Sequence, residues 1–76
     1  MRKMVLSLLV DNTAGVLSRV AGLFSRRGYN IDSLTVGETE KPQFSRMTVV
    51  VSGDEQILEQ IRNQLQKLED VVEIKE

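Results

Sequence analysis

The chain has 76 residues, enough for one small domain and too few for a two-domain enzyme with its own cofactor fold. It contains no cysteine and no histidine, which excludes a disulfide framework, a thiolate zinc site, a cysteine nucleophile and the usual general base at neutral pH. Lys+Arg 10 against Asp+Glu 11 give a net charge of −1, so neither a broadly basic nucleic-acid binder nor a polyacidic tail is indicated.

With 41% hydrophobic residues the chain can build a core. A domain this small nevertheless buries only about 60% of its unfolded surface and commonly leans on disulfides, a metal or a partner subunit. The staple left to this composition is another protein chain. No apolar run approaches the roughly 18 residues of a membrane span. The charged start at Arg2 and Lys3 precedes an apolar run, but Ser7 and Asp11 interrupt it and no small-residue cleavage site follows. A strand is therefore expected there, and not a signal peptide.

In chain order, residues 4–10 form a nearly continuous apolar run closed by Asp11 and Asn12, which predicts a buried strand. Asn12-Thr13-Ala14-Gly15 is a turn. From Val16 the period becomes helical, with Val16, Leu17, Val20, Ala21, Leu23 and Phe24 on one side and Ser18, Arg19, Ser25 and Arg26 on the other. Arg26 and Arg27 suit the negative end of the helix dipole, and Gly28 suits a C-terminal cap with positive φ. The spacing predicts a helix over 15–27. Gly22 inside it costs about 1 kcal/mol against alanine, which points to close packing on another element.

Residues 31–37 predict a second strand, with Ile31, Ser33 and Thr35 alternating against Asp32, Leu34 and Val36. The charged, proline-containing stretch 38–43 is a hairpin tip. Residues 44–51 predict a third strand, with Met47, Val49 and Val51 sharing one face. Ser52 and Glu55 are spaced as a capping box. Ile57, Leu58, Ile61, Leu65 and Leu68 mark an amphipathic helix that Glu69 and Asp70 end, and residues 71–74 close the chain as a short strand.

The order βαββαβ predicts an α+β, ferredoxin-like domain: a four-stranded antiparallel sheet with two helices on one face. Val5, Leu9 and Val50 fall on the faces opposite their strands' core positions. An apolar second face predicts contact with another subunit.

Several chemistries associated with this shape fail on composition. A metal chaperone wants Cys-x-x-Cys, and there is no cysteine. An RNA-binding sheet wants stacking aromatics, and only Phe24, Tyr29 and Phe44 are present, the first on a helix's apolar face. An acylphosphatase-like loop wants an arginine, and residues 11–15 hold none. What the first loop does offer is a strand running through a glycine turn directly into a helix. That aims free backbone amides, backed by the positive helix end, at one spot suited to carboxylate or phosphate. Asn12 adds an amide side chain, and Asn30 lies past the far end of the same helix. Each asparagine taken alone also reads as an ordinary helix cap or exit residue. Arg19, Arg26, Arg27 and Arg46 offer cations for a basic patch, although helical spacing sets Arg19 and Arg26 on the solvated face. Asp54 and Glu55 suit a helix N-terminus and not catalysis.

Residues 8–20, with Asp11-Asn12-Thr13-Ala14-Gly15 at the turn, resemble the opening of an ACT domain, a βαββαβ module that binds amino acids and regulates metabolic enzymes. The stretch from Gly22-Leu23-Phe24-Ser25-Arg26-Arg27-Gly28-Tyr29-Asn30-Ile31 to Val36 narrows the likeness. It is similar to the regulatory (small) subunits of acetolactate synthase, also called acetohydroxyacid synthase. Ser45-Arg46-Met47-Thr48 and Leu58-Glu59-Gln60-Ile61 match that family too, so the resemblance covers the whole chain.

The resemblance implies a single ACT domain over residues 1–76. Members usually continue into a second domain, so the chain is expected to be a short natural form or a truncated one. It implies a non-catalytic subunit that activates its partner and confers feedback inhibition by valine or a related branched-chain amino acid. Thiamine diphosphate, Mg²⁺ and FAD belong to the partner catalytic large subunit, and this chain needs no cofactor and no metal of its own. The effector is expected where two ACT domains meet, in a homodimer or larger assembly formed through sheet edges. Asn12, Gly15, Val16 and Leu17 would hold its carboxylate. Asn30 and Ile31 of a second chain would hold its ammonium group, and Leu9 and Leu34 would serve as the aliphatic wall. A bacterial or archaeal cytoplasm is expected, with no nucleic-acid or membrane partner. The alternative is a stand-alone ACT amino-acid sensor for another enzyme or regulator. An enzyme in its own right is disfavoured, because no convergent acid/base set exists.

Overall fold

The computed structural model describes residues 2–76. The elements run β1 (Arg2–Asp11), α1 (Val16–Arg27), β2 (Asn30–Glu38), β3 (Phe44–Gly53), α2 (Glu55–Gln66) and β4 (Val71–Lys75). They form one sheet in the order β2-β3-β1-β4, with every neighbouring pair antiparallel. This is the ferredoxin-like arrangement that the βαββαβ order predicts.

The core lies between the helices and one sheet face. Alternation along β1 buries Met4, Leu6, Leu8 and Val10, and the same period along β3 buries Met47, Val49 and Val51. Val16, Val20, Leu23 and Phe24 of α1 and Leu58, Ile61 and Leu65 of α2 close over them. Phe24 also meets Tyr29 edge-on at 6.1 Å. The helix ends follow capping chemistry. Gly28, at φ 68°, turns the chain out of α1, and the Tyr29 amide donates to the Phe24 carbonyl at 3.1 Å.

Four expectations are corrected. Ser52 does not cap α2: it belongs to β3, and its hydroxyl donates to Asp32. Asp54 caps instead, accepting from the Ile57 amide at 2.9 Å, while Glu55 pairs with Arg2. α2 ends at Gln66, so Leu68 packs on the core from the following turn. Strand β2 does not alternate simply. A bulge between Ile31 and Ser33 makes Asp32 the extra residue, and Ile31, Leu34 and Val36 then pair with the inward Val51, Val49 and Met47. Gly22 packs on no other element, since a Cβ there would meet only the Arg26 guanidinium of its own helix.

The opposite sheet face has no cover from this chain. Val5 pairs directly with Val50 there, and Leu9 lies opposite Arg46. Val5 is exposed, while Leu9 and Val50 are half-buried.

Candidate functional site

β1 hands over to α1 through the turn 12–15. Two backbone bonds hold the start of that turn. The Asp11 amide donates to the Asp70 carbonyl at 2.9 Å, and the Asn12 amide donates to the Gln43 carbonyl at 2.8 Å. The Asn12 side chain adds a bond from Nδ2 to the Pro42 carbonyl at 3.1 Å, which ties the turn to the β2–β3 hairpin. Gly15 then enters the helix at φ 88°, a left-handed conformation that glycine adopts without a Cβ penalty.

No side chain caps α1, and its first turn carries no acidic residue. Among the described residues the amides of Gly15, Leu17 and Ser18 have no backbone acceptor, and the Val16 amide reaches the Thr13 carbonyl only at 3.4 Å. The turn therefore presents open donors at the positive end of the helix dipole. Beside them lies a cavity of about 130 Å³. Buried Val10, Val16 and Met47 form its floor, and Asn12 and Ser45 give it polar edges. Its rim is apolar and open, with Leu17 49% and Val36 51% exposed. That space is well under the roughly 300–1,000 Å³ of a drug-sized ligand site. It suits a short aliphatic group attached to an anion.

One chain brings together Asn12, Gly15, Val16 and Leu17 but not Asn30 and Ile31. Asn30 opens β2 and pairs with Ser52, whereas the cavity borders Ser45 at the other end of β3. Positions 45 and 52 stand about 24 Å apart at roughly 3.4 Å per residue, beyond the reach of one amino acid. Asn30 is exposed in a separate groove with Arg26, Arg27 and Gln60, and Ile31 packs half-buried against the core. Leu9 and Leu34 do not border the cavity: Leu9 lies on the outer sheet face and Leu34 packs on the core. The apolar lining of this cavity includes Val10, Val36 and Met47, which sequence reasoning did not single out. The readable sign was Val10, the last apolar residue before the turn.

The arginines do not cluster. The Arg19 guanidinium donates to both carboxylate oxygens of Asp70, at 2.6 and 3.0 Å, and this pairing holds the Asp70 carboxyl below its ordinary range. Arg46 donates to Ser7 on the outer face, and Arg26 and Arg27 lie at the far end of α1. Among the described residues no group of acidic side chains has metal-binding geometry, and no helix is long and apolar enough to cross a membrane.

Known proteins are similar to this chain over a stretch that includes the turn. Residues 6–73 match the family model described as AHAS small subunit-like ACT domain. The chain belongs to that family. It is 58% identical over 72 residues to the acetolactate synthase isozyme 3 small subunit of Escherichia coli, covering 95% of this chain and 44% of that one. It is 53% identical over 72 residues to a probable acetolactate synthase small subunit of Methanothermobacter thermautotrophicus, covering 95% and 43%. The crystal structure of the acetolactate synthase small subunit from Thermotoga maritima superposes with a TM-score of 0.89 at 48% identity, covering 99% of this ACT domain and 47% of that chain. The domain thus spans less than half the length of these relatives.

Proposed function

We propose that this ACT domain is the effector-sensing part of a regulatory subunit of acetolactate synthase. In this reading it works in the cytoplasm, binds valine or a related branched-chain amino acid, activates the catalytic large subunit and mediates feedback inhibition. The observation that carries the reading is the uncapped start of α1 at Gly15, whose open amides stand beside a small apolar cavity. An amino acid matches both parts. Its carboxylate takes the amides, and its aliphatic side chain takes the Val10, Val36 and Met47 wall.

The ammonium group needs acceptors, which Asn30 and the backbone near Ile31 of a second chain would supply. The separation of the two asparagines in one chain supports this division. The thiamine diphosphate, Mg²⁺ and FAD of the reaction would sit in the catalytic subunit. Inhibition requires that the effector bind better to the inhibited arrangement than to the active one, and a coupling of about 1–3 kcal/mol is usual.

The test mixes the chain with a purified acetolactate synthase catalytic subunit and follows acetolactate formation with and without valine, leucine and isoleucine. Activation that one of these amino acids reverses is expected. Binding of an unrelated amino acid, with no effect on the catalytic subunit, would replace this reading with that of a sensor for another enzyme.

A further inference from the structure

We infer that Asp70 is a positioning residue for the turn 12–15: it holds both ends of the turn and so keeps the open amides at the start of α1 aimed at one spot. The effector meaning of this clamp rests on the proposed function, whereas the clamp itself is a feature of the free chain.

The turn makes few bonds of its own. Within it the Val16 amide reaches the Thr13 carbonyl only at 3.4 Å, and no side chain caps the helix. A helix start without a cap needs holding from elsewhere. Asp70 supplies that hold with two separate groups. Its backbone carbonyl accepts from the Asp11 amide at 2.9 Å, where β1 ends. Its carboxylate accepts from Nε and Nη2 of Arg19, one turn into α1, and the Arg19 amide is itself bonded to the Gly15 carbonyl at 2.9 Å. One residue therefore ties the strand before the turn to the helix after it. The third guanidinium nitrogen, Nη1, lies 3.0 Å from the place a Cβ on Gly15 would take, so the clamp closes against the turn itself.

Asp70 is anchored well enough to do this. It lies between Leu68 and Val71, which both pack on the core. The Val71 amide donates to the Leu68 carbonyl at 3.1 Å, and Val71 pairs with Val10 of β1. The Asp70 side chain is 17% exposed against 49% for Arg19, so the carboxylate is the fixed partner and the guanidinium the one it orients. A two-pronged bond sets the guanidinium plane, where a lysine would give a point contact. Asn12 grips the Gln43 and Pro42 carbonyls on the hairpin side, and Asp70 holds the turn from the opposite side, toward β4.

Positioning and plain charge predict opposite signs. By charge alone, removing the Asp70 carboxylate beside an anion site tightens anion binding. By positioning, the same change weakens binding, because the effector must then order the turn itself. The experiment takes Asp70→Ala, Arg19→Ala and the double variant, measures valine binding by calorimetry below each melting temperature, and measures NMR order parameters of the amides without valine. Each single variant should bind valine about two- to tenfold more weakly than the unaltered chain. The double variant should bind no more weakly than the weaker single one, because both changes open the same clamp. Order parameters over residues 13–18 should fall from about 0.85 toward about 0.6 while those of α2 hold. Asp70→Asn keeps an acceptor for one Arg19 bond, should lie between the unaltered chain and Asp70→Ala, and gives the same comparison should alanine unfold the domain. In a chain that binds valine, unchanged or tighter binding by these Asp70 variants would overturn the inference, as would a turn that stays rigid in them. A turn that loosens in Asp70→Ala, in a chain whose unaltered form binds no branched-chain amino acid, would sink the effector reading and leave the clamp standing.

Discussion

Substituting Gly15 tests the site most directly, and the structure separates two effects of the change. The first is backbone strain. At φ 88° any other residue sits in the left-handed region, which costs roughly 1–2 kcal/mol. A Cβ there would come within 3.0 Å of Arg19 Nη1, the far end of a flexible side chain, which can move aside. In a domain of this size each kcal/mol is worth about 4–8 °C, so Gly15→Ala should lower the melting temperature by roughly 4–16 °C. The second effect is charge. Gly15→Asp suffers the same strain and adds a carboxylate where the effector's carboxylate would bind. Two like charges 4 Å apart repel by about 1 kcal/mol in bulk water and about 4 kcal/mol at an effective dielectric of 20. Gly15→Asp should therefore bind valine between about fivefold and several hundredfold more weakly than Gly15→Ala. Calorimetry on both variants gives the comparison, with melting curves showing the shared strain. Equal affinities for the two would mean that no anion is held at this turn, and the amide-based site would be refuted.

Asn30→Ala should weaken valine binding while leaving self-association intact, and sedimentation showing monomers would make Asn30 a structural residue instead. The Asp32 carboxyl is held below its ordinary range by its bond from Ser52 and then by Lys3, Glu55 by Arg2, and Asp70 by Arg19. Groups with depressed folded pKa values contribute stability that is full above their unfolded values, about 4, and is lost as pH falls through the folded ones. The melting temperature should accordingly fall on acidification below about pH 4, and Asp70→Asn should reduce that fall; an unchanged acid limb would contradict the assignment of Asp70. Leu8 is fully buried on the central strand β1, so Leu8→Ala should cost about 2–5 kcal/mol in urea unfolding.

The parts of the fold legible in the sequence are those that local chemistry decides. The run from Met4 to Val10 specifies an inner strand, although only its Met4, Leu6, Leu8 and Val10 face is covered by the helices, and Gly28 ends α1 because a positive φ is needed there. β2 resists the same reading. Its bulge depends on Asp32 finding Lys3 and Ser52, which come from two other strands. Ser52 misleads as a cap for the same reason, since its hydroxyl is already committed to Asp32 while Asp54 stands free beside the helix start. At the candidate site the turn was legible because it is contiguous. Its aliphatic wall was not, because Val36 reaches Met47 only through the register between β2 and β3.

In the proposed reading, a half-open cavity would tie effector binding to assembly. Leu17 and Val36 leave the rim apolar and exposed, and the acceptors proposed for an ammonium group, Asn30 and the backbone near Ile31, lie at the distant start of β2. A lone chain would hold the effector by its carboxylate and part of its side chain, whereas a pair of chains would hold all of it. Whatever binds the pair and not the single chain must favour the pair by mass action. At an effector concentration of a hundred times Kd, each site contributes about 2.7 kcal/mol, close to a hundredfold in the association constant. Two symmetry-related sites multiply to about ten-thousandfold if the single chain does not bind at all, and to less as its own affinity rises. Sedimentation of the chain at increasing valine should show this tightening. Gly15→Asp should abolish this response to valine. A dimer constant that ignores valine in a chain that demonstrably binds it would place the whole effector site within one copy.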